Sequence, residues 1–378
     1  MKITFLLPSY VWAPSGGPRV VYEYANRLAR RGHEIAVVHP RRLAYPPPAE
    51  PVDPYQWAKN KYVGLREIIS TPTVNRWQPI DKRVRMLFTP SSDPRNIPDG
   101  DAIFSTAWHT VDSVLKCPPE KGEKCYFIQH YEVWQGPKDL VDATWRAPLH
   151  KVVIAKWLME KGEELGASDL TYIPNSINHE IYHLTRPIEA RPKQVAMMYS
   201  REEFKGSTYG IQALEIVRRK LPDLKVVFFS TSRAEASIPG WIEYHRSPPL
   251  KFMVDEIYGG SSIFLSPSLA EGWPLPPAEA AACGCAIVSA NNGGVREYVE
   301  HEVTGLLSPV KDADSLAANI IRLFEDDRLR IALATACNQR ISSLNWERST
   351  DKLELFLKEK MGAVRPAVHS HGAEVRMI

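Results

Sequence analysis

Short apolar runs alternate with stretches of helical spacing through most of this sequence, and the series starts twice. The first forty residues predict a strand at 3–7, a helix that opens at Pro18 and a second strand at 35–38. Beyond the polar stretch 183–193, a new series predicts strands at 195–199, 225–230, 262–266 and 286–289 and helices at 208–220, 277–283 and 313–325. Strands that alternate with helices form parallel sheets covered on both faces. The sequence therefore predicts an α/β protein with two parallel sheets.

The length of the chain agrees with two domains. It has 378 residues, more than one hydrophobic core usually carries. We place the first domain at 1–185 and the second at 186–344, because the second series starts just beyond the polar stretch 183–193. Residues 345–362 have helical spacing, whereas the tail 363–378 has no periodicity and is expected to be disordered.

Charge and cysteine content narrow the possible functions. The 47 Lys and Arg residues against 44 Asp and Glu give a net charge of +3, which is too balanced for a protein that wraps nucleic acid. The five cysteines are odd in number and lack the spacing of a zinc site, which indicates a reducing, cytoplasmic compartment. The apolar run 3–7 is too short for a signal peptide or a membrane span. Peripheral contact with the inner membrane face stays open.

Two glutamates flank the start of a predicted helix. Glu271 lies in the loop after the strand that ends at Ser266, and Glu279 lies in the first turn of the helix that follows. Ligands of parallel α/β sheets bind at the carboxyl ends of the strands. A carboxylate there would repel phosphate but could accept hydrogen bonds from a vicinal diol such as a ribose. The alternative is that Glu279 only complements the helix dipole and that Glu271 is a solvated loop residue.

Two cations stand four residues apart in another strand-to-helix loop. Arg201 and Lys205 follow the first predicted strand of the second domain and precede a helix. Such a pair can converge on a diphosphate, the arginine as a planar fork and the lysine as a point charge. The alternative is that both form solvated surface pairs with the neighbouring glutamates.

In the first domain, a histidine and a glycine pair lie at predicted strand ends. His130 follows a short strand at 126–129, which would direct its imidazole into the crevice, although a structural role is equally open. Gly16 and Gly17 precede the first helix but lack the GxGxxG spacing, and His39 occupies the place of the acidic residue that a dinucleotide site needs. This disfavours a dinucleotide cofactor.

The order of these motifs resembles the family 4 retaining glycosyltransferases, which have the GT-B fold of two facing Rossmann-like domains. The most specific match is Glu271-x7-Glu279 within EGWPLPPAEAAACG, followed by GGVRE at 293–297. Further matches are GGPRVVYEYANRLARRGHEIAVV near the start and IPNSIN at 173–178. The resemblance spans most of the chain and implies that the helix at 345–362 returns to the first domain.

The resemblance also implies a role for each candidate residue. Glu279 would bind the ribose of a nucleotide-sugar donor, and Arg201 with Lys205 would bind its diphosphate. His130 would face the donor sugar and the acceptor. Glu271 would bind the hydroxyls of the donor sugar together with the backbone of Gly272, Trp273 and Leu275, and Gly16 and Gly17 would let the first loop approach the leaving diphosphate. No metal ion and no cofactor are expected.

The sequence departs from the family pattern at two positions, where Pro274 and Ser176 replace the usual glycines. The segment 127–134 is similar to a subgroup associated with bacterial surface polysaccharides, including rhamnosyltransferases. A dTDP-rhamnose donor is therefore one candidate, beside UDP and GDP sugars, and the acceptor would be a glycan or a lipid-linked molecule. A nucleotide-sugar epimerase or hydrolase of the same fold, and a binding module without turnover, stay as alternatives.

The segment 39–98 is the least regular part of the sequence. It holds eleven of the 31 prolines, and within it residues 59–95 carry eight Lys or Arg against three acids. We expect this segment to shape the acceptor site, for an anionic or lipid-linked glycan at a membrane surface. The alternative is a solvated irregular loop.

Overall fold

The computed structural model describes residues 1–44, 74 and 77–362. Within these residues, the first sheet has seven parallel strands in the order β3-β2-β1-β4-β5-β6-β7. Its strands are β1 Lys2–Leu6, β2 Glu34–Pro40, β3 Arg85–Thr89, β4 Ala102–Ser105, β5 Glu123–Ile128, β6 His150–Val153 and β7 Leu170–Tyr172. The interior strand β1 pairs with β2 on one side and with β4 on the other, and this places the ends of β1, β4 and β5 along one edge.

Helices cover the first sheet. They are α1 Gly16–Arg30, α2 Val111–Leu115, α3 Lys138–Arg146 and α4 Lys156–Glu164. In α1 the apolar residues at positions 20, 21, 24, 25 and 28 lie on one face and are buried, as the 3.6-residue period requires. Arg27 and Arg30 lie in its last turn, where positive charge is favourable for the helix dipole.

The second sheet, in the described part of the chain, has six parallel strands in the order β10-β9-β8-β11-β12-β13. Its strands are β8 Gln194–Met198, β9 Lys225–Ser230, β10 Glu243–Arg246, β11 Ile263–Ser266, β12 Ala286–Ala290 and β13 Leu306–Ser308. Its helices are α5 Ser207–Lys220, α6 Leu275–Ala282, α7 Ala313–Glu325 and α8 Asp327–Ser342. A further helical segment, Leu250–Phe252, continues as a π-helix over Met253–Tyr258.

The predicted fold class is confirmed, because both sheets are parallel and flanked by helices. Five strands escaped the sequence analysis, namely β3, β6, β7, β10 and β13. Strand β3 lies inside the segment 39–98, so the expectation of an irregular segment is wrong there. It is an edge strand with no fully buried residue, and β10, also at an edge, is half exposed. Residues 45–73, 75 and 76 of the same segment, and the tail 363–378, lie outside the described residues.

The last helix, α9 Trp346–Gly362, packs against α1. The Arg31 guanidinium pairs with the carboxylates of Glu347, Asp351 and Glu354. The ring of Trp346 meets the ring of Tyr24 edge-on, with 5.1 Å between the centroids. The chain therefore returns from the second sheet to the first, where it forms α9.

The two sheets share apolar contacts across the boundary at 183–193. One cluster of buried apolar side chains includes residues from the strands of the first sheet. The same cluster also includes Ala278, Val295 and Tyr298, which lie beyond that boundary. The five cysteines lie in the described part of the chain, where all are buried and free. None of the described helices is both long and apolar enough to cross a membrane.

Candidate functional site

The loop after β11 packs directly on the loop after β5, so the carboxyl ends of the two sheets face each other. A Cβ atom on Gly272 would lie 1.8 Å from the backbone oxygen of Gln129, a distance that only glycine permits. The indole nitrogen of Trp157 in α4 donates a hydrogen bond to the Gly272 carbonyl oxygen at 3.0 Å. This close approach forms a cleft between the strand ends, as the sequence predicts for an α/β ligand site.

Lys205 and Glu271 form an ion pair in this cleft. The Lys205 ammonium lies 2.8 Å from one carboxylate oxygen of Glu271 and 3.1 Å from the other. Gly206, at a φ of +64°, places the lysine, because a Cβ atom there would lie 2.1 Å from the Pro267 carbonyl oxygen. The exposed fractions of the two side chains are 22% and 11%. The pair is therefore largely shielded from water, and its attraction is stronger than at the surface.

His130 lies beside this ion pair, at the end of β5. Burial lowers the pKa of His130 to about 4, while the nearby Glu271 carboxylate opposes the shift. The imidazole is therefore neutral at pH 7. Neither ring nitrogen has a hydrogen-bonding partner within the described residues, although both are buried. A buried polar group without a partner is costly, which makes this imidazole a candidate for hydrogen bonding to a ligand.

Two aromatic rings of the first domain flank His130. The Trp134 ring meets the imidazole edge-on with 4.1 Å between centroids, and Trp157 approaches it at 5.8 Å. Trp134 also stacks on Phe204, the neighbour of Lys205, at 4.7 Å. The loops after β5 and β8 therefore meet through a ring stack that borders the Lys205–Glu271 pair.

Helix α6 begins at Leu275, so Glu279 is its fifth residue and the predicted place in the first turn is wrong by one position. Its side chain is 6% exposed, and both of its carboxylate oxygens have partners. One oxygen accepts a hydrogen bond from Arg19 in the first turn of α1, at 2.6 Å. The other accepts from the Tyr258 hydroxyl, at 3.0 Å. The sequence analysis missed Arg19. The signal was its position, since a cation in the first turn of a helix opposes the helix dipole and needs a compensating partner.

The remaining predicted residues lie at different distances from this centre. The Arg201 side chain is half exposed and pairs with Glu235 at 2.9 Å rather than joining Lys205. Helix α1 starts at Gly16 without a capping side chain, and a Cβ atom on Gly16 would lie 3.9 Å from Leu275. The Trp273 ring is buried against Tyr298, with 5.0 Å between centroids, so only its backbone can serve a ligand in the cleft.

A second carboxylate lies on the first-domain side, at the ends of β4 and β5. Glu132 accepts a hydrogen bond from the backbone N–H of Trp108 at 2.9 Å. Burial raises the pKa of Glu132 to about 7, and this hydrogen bond opposes the shift. Burial also lowers the pKa of the neighbouring His109 to about 4. The sequence placed these residues at strand ends but gave no sign of the perturbed titration.

No cluster of three or more His, Cys, Asp or Glu side chains suited to a metal ion occurs in residues 1–44, 74 and 77–362. The expectation that neither a metal ion nor a cofactor is needed stays a prediction.

Comparison with known proteins relates this arrangement to glycosyltransferases. Residues 185–340, which include Arg201, Lys205, Glu271 and Glu279, match the family model for glycosyl transferases group 1. The D-inositol 3-phosphate glycosyltransferase of Saccharomonospora viridis is 32% identical over 109 residues, which cover 29% of this chain and 25% of that protein. The N,N'-diacetylbacillosaminyl-diphospho-undecaprenol alpha-1,3-N-acetylgalactosaminyltransferase of Campylobacter jejuni is 39% identical over 79 residues, 21% of each chain. The chain thus spans about a quarter of the curated relatives' length or less in these alignments.

The likeness in structure extends over both domains. HepE of Anabaena, solved in complex with UDP-glucose, superposes with a TM-score of 0.70 and 13% identity over 96% of this chain and all of that one. At this identity the likeness shows the fold alone. The chain has the GT-B architecture of two parallel-sheet α/β domains, as its motifs predict.

Proposed function

We propose that this chain is a retaining glycosyltransferase, which transfers a sugar from a nucleotide-diphosphate sugar to a hydroxyl group of an acceptor. The observation that carries the proposal is the Lys205–Glu271 pair beside neutral His130, in the cleft where the strand ends of the two domains meet. The match of residues 185–340 to the group 1 glycosyl transferases supports it, since this segment contains the candidate donor-binding residues.

On the donor side, Glu279 would accept hydrogen bonds from the ribose hydroxyls. Lys205 would shift from Glu271 toward the diphosphate, and Arg201 would leave its exposed pair with Glu235, which costs little because surface ion pairs are weak. The backbone N–H groups of Gly16 and Gly17 open α1 and would approach the leaving phosphate. Pro276 and Pro277 follow Leu275 in α6 and have no backbone N–H. Of these three residues, Leu275 is therefore the one whose backbone N–H can bind the donor.

For the chemical step, the bond between the anomeric carbon and the phosphate oxygen breaks on the same face on which the acceptor oxygen bonds. The leaving phosphate oxygen takes the acceptor proton, so Glu271 is not a nucleophile in this proposal. Lys205 would stabilise the negative charge that develops on the leaving group. Glu271, with the backbone of Gly272, Trp273 and Leu275, would hold the sugar, and His130 would face both sugar and acceptor. We further propose that the reaction needs no metal ion.

The identity of donor and acceptor is a finer proposal. The segment 127–134 favours dTDP-rhamnose, whereas a ribose diol at Glu279 favours UDP or GDP sugars, because the deoxyribose of dTDP has only a 3′-hydroxyl. A glycan or a lipid-linked acceptor agrees with the undecaprenol-linked substrate in the name of the Campylobacter jejuni relative. We propose that the basic segment 39–98 binds this acceptor at the cytoplasmic face of the inner membrane. Nucleic acid is not an expected partner.

The test is turnover with a panel of dTDP, UDP and GDP sugars, chosen first by the rise in melting temperature that a bound ligand causes. We expect a product with retained anomeric configuration on a glycan or polyprenyl-diphosphate acceptor, with full activity in the presence of EDTA. Lys205→Met should lower kcat strongly, whereas Lys220→Met, which removes an exposed lysine paired with Glu325, should not. Sugar inversion at C2 or hydrolysis without transfer would indicate the epimerase or hydrolase instead. Binding without turnover would indicate a binding module.

A further inference from the structure

An ion pair between the two domains involves the glutamate proposed to bind ribose. Arg19 lies in the first turn of α1, and its guanidinium spans the cleft to Glu279 at 2.6 Å. Its other terminal nitrogen donates to the hydroxyl of Tyr182, and the guanidinium lies 5.3 Å from the centroid of that ring. Tyr182 is itself buried in the connection between the sheets. Three parts of the chain therefore fix the position of one arginine.

We propose that Arg19 is a positioning residue for donor binding, which orients the Glu279 carboxylate and neutralises its charge so that it can accept the hydroxyls of a nucleotide ribose. This inference rests on the proposed function. It assigns to α1 of the first domain a part in donor recognition, because the side chain that prepares the ribose site comes from the opposite side of the cleft.

Hydrogen-bond capacity supports this assignment. A carboxylate has about four acceptor sites. Arg19 uses one site on the first oxygen of Glu279, and the Tyr258 hydroxyl uses one on the second. Burial raises the pKa of Tyr258, so its hydroxyl remains a donor. The Tyr182 hydroxyl also interacts with this carboxylate, which leaves at least one acceptor site for a ribose hydroxyl.

Charge supports it as well. A buried carboxylate close to a diphosphate repels it, and Glu279 is 4% exposed. The Arg19 guanidinium compensates this charge without occupying both oxygens. Displacing Arg19 would leave a buried charge unpaired, which is strongly unfavourable. The pair is therefore expected to persist when a nucleotide binds.

A small crevice lies beside the pair. It is lined by Arg19 and Glu279 together with Leu275, Asn178 and Ser176. The last two belong to the IPNSIN segment, in which Ser176 replaces the family's glycine. This crevice holds little more than one water molecule, so a ribose would bind at Glu279 only if the lining side chains move.

The experiment is a double-mutant cycle on nucleotide binding. Isothermal titration calorimetry gives the Kd of UDP, GDP and dTDP, and of the 2′,3′-dideoxy form of whichever of UDP and GDP binds more tightly. The proteins are the wild type, Arg19→Ala, Glu279→Ala and the double variant. We expect Arg19→Ala to weaken binding at least about tenfold in the wild-type background and less than about twofold in the Glu279→Ala background. The preference for the hydroxylated nucleotide should fall in parallel.

Controls separate positioning from folding. Arg30→Ala removes an arginine at the exposed end of α1, next to Asp81, and should leave the Kd unchanged. Circular dichroism shows whether each variant folds. If Arg19→Ala does not fold, Arg19→Lys and Tyr182→Phe replace it in the cycle, and the lysine variant should retain part of the affinity because it keeps the charge.

Two results would overturn the inference. Equal losses in both backgrounds would show that Arg19 does not act through Glu279, and tighter binding by Arg19→Ala would show that it competes with the nucleotide. Both leave the proposed function intact, since the wild type binds nucleotide in either case. If the wild type binds no nucleoside diphosphate, the proposed function fails and the inference fails with it.

Discussion

Replacing Glu132 by glutamine removes a carboxylate whose pKa lies near neutral pH. Burial raises its pKa from the ordinary value of 4.5 to about 7, against the hydrogen bond from the Trp108 N–H. Glutamine keeps an oxygen that can accept this hydrogen bond and removes the charge. The variant therefore tests the cost of ionising this side chain and little else.

The sign follows from proton binding. Between pH 4.5 and about 7 the folded protein keeps a proton on Glu132 that the unfolded chain releases, so stability falls as the pH rises. The difference between the two pKa values corresponds to a loss of about 3 kcal/mol in the free energy of unfolding, and most of this loss occurs between pH 5 and pH 8. Because Glu132 is only half-buried and keeps some solvent contact, we expect about 1 to 2 kcal/mol.

Urea unfolding at pH 5 and pH 8 measures this effect. The free energy of unfolding of Glu132→Gln, minus that of the wild type, should be about 1 to 2 kcal/mol larger at pH 8 than at pH 5. Glu120→Gln, at an exposed position in the same domain, should show no such change between the two pH values. The reasoning is refuted if the difference between wild type and Glu132→Gln is the same at both pH values.

Two further predictions concern the contact between the domains. Gly272→Ala places a methyl group against the Gln129 backbone, so it should abolish transfer and increase the radius of gyration in small-angle scattering. Gly240→Ala, with no atom within 4 Å of its Cβ, should change neither. Lys205→Met should lower the unfolding free energy by roughly 2 to 4 kcal/mol, because it leaves Glu271 unpaired. Adding Glu271→Gln should recover stability but not turnover, and recovered turnover would contradict the role of the lysine.

The elements that the sequence predicted well are those buried on both faces. Strands β8, β11 and β12 are short apolar runs inside a parallel sheet, and each was placed within about two residues. Strands β3 and β10 lie at sheet edges, where one side lacks a neighbour and polar residues are tolerated. Their sequences, RMLFT and EYHR, therefore carry too little apolar periodicity to be recognised.

In the candidate site, the sequence likewise predicted some features and missed others. Glu271 and Glu279 were placed by local signals, a strand end and the prolines that open a helix, and the structure puts both at the cleft. Arg201 and Lys205 share a loop, yet only Lys205 reaches the glutamates, because a loop sequence does not fix the direction of each side chain. Local spacing therefore located the loops but not the pairs that they form.

Arg19 shows why pairing across domains escapes local analysis. It is separated from Glu279 by 260 positions, so no spacing rule connects them. Its place in the first turn of α1 is unfavourable for a cation by itself, and a carboxylate just beyond the first turn of α6 is favourable by itself. Where two helix N-termini face each other, the favourable carboxylate can compensate the unfavourable arginine. A cation at a helix N-terminus is therefore a local anomaly that can direct a search for an acidic partner elsewhere in the chain.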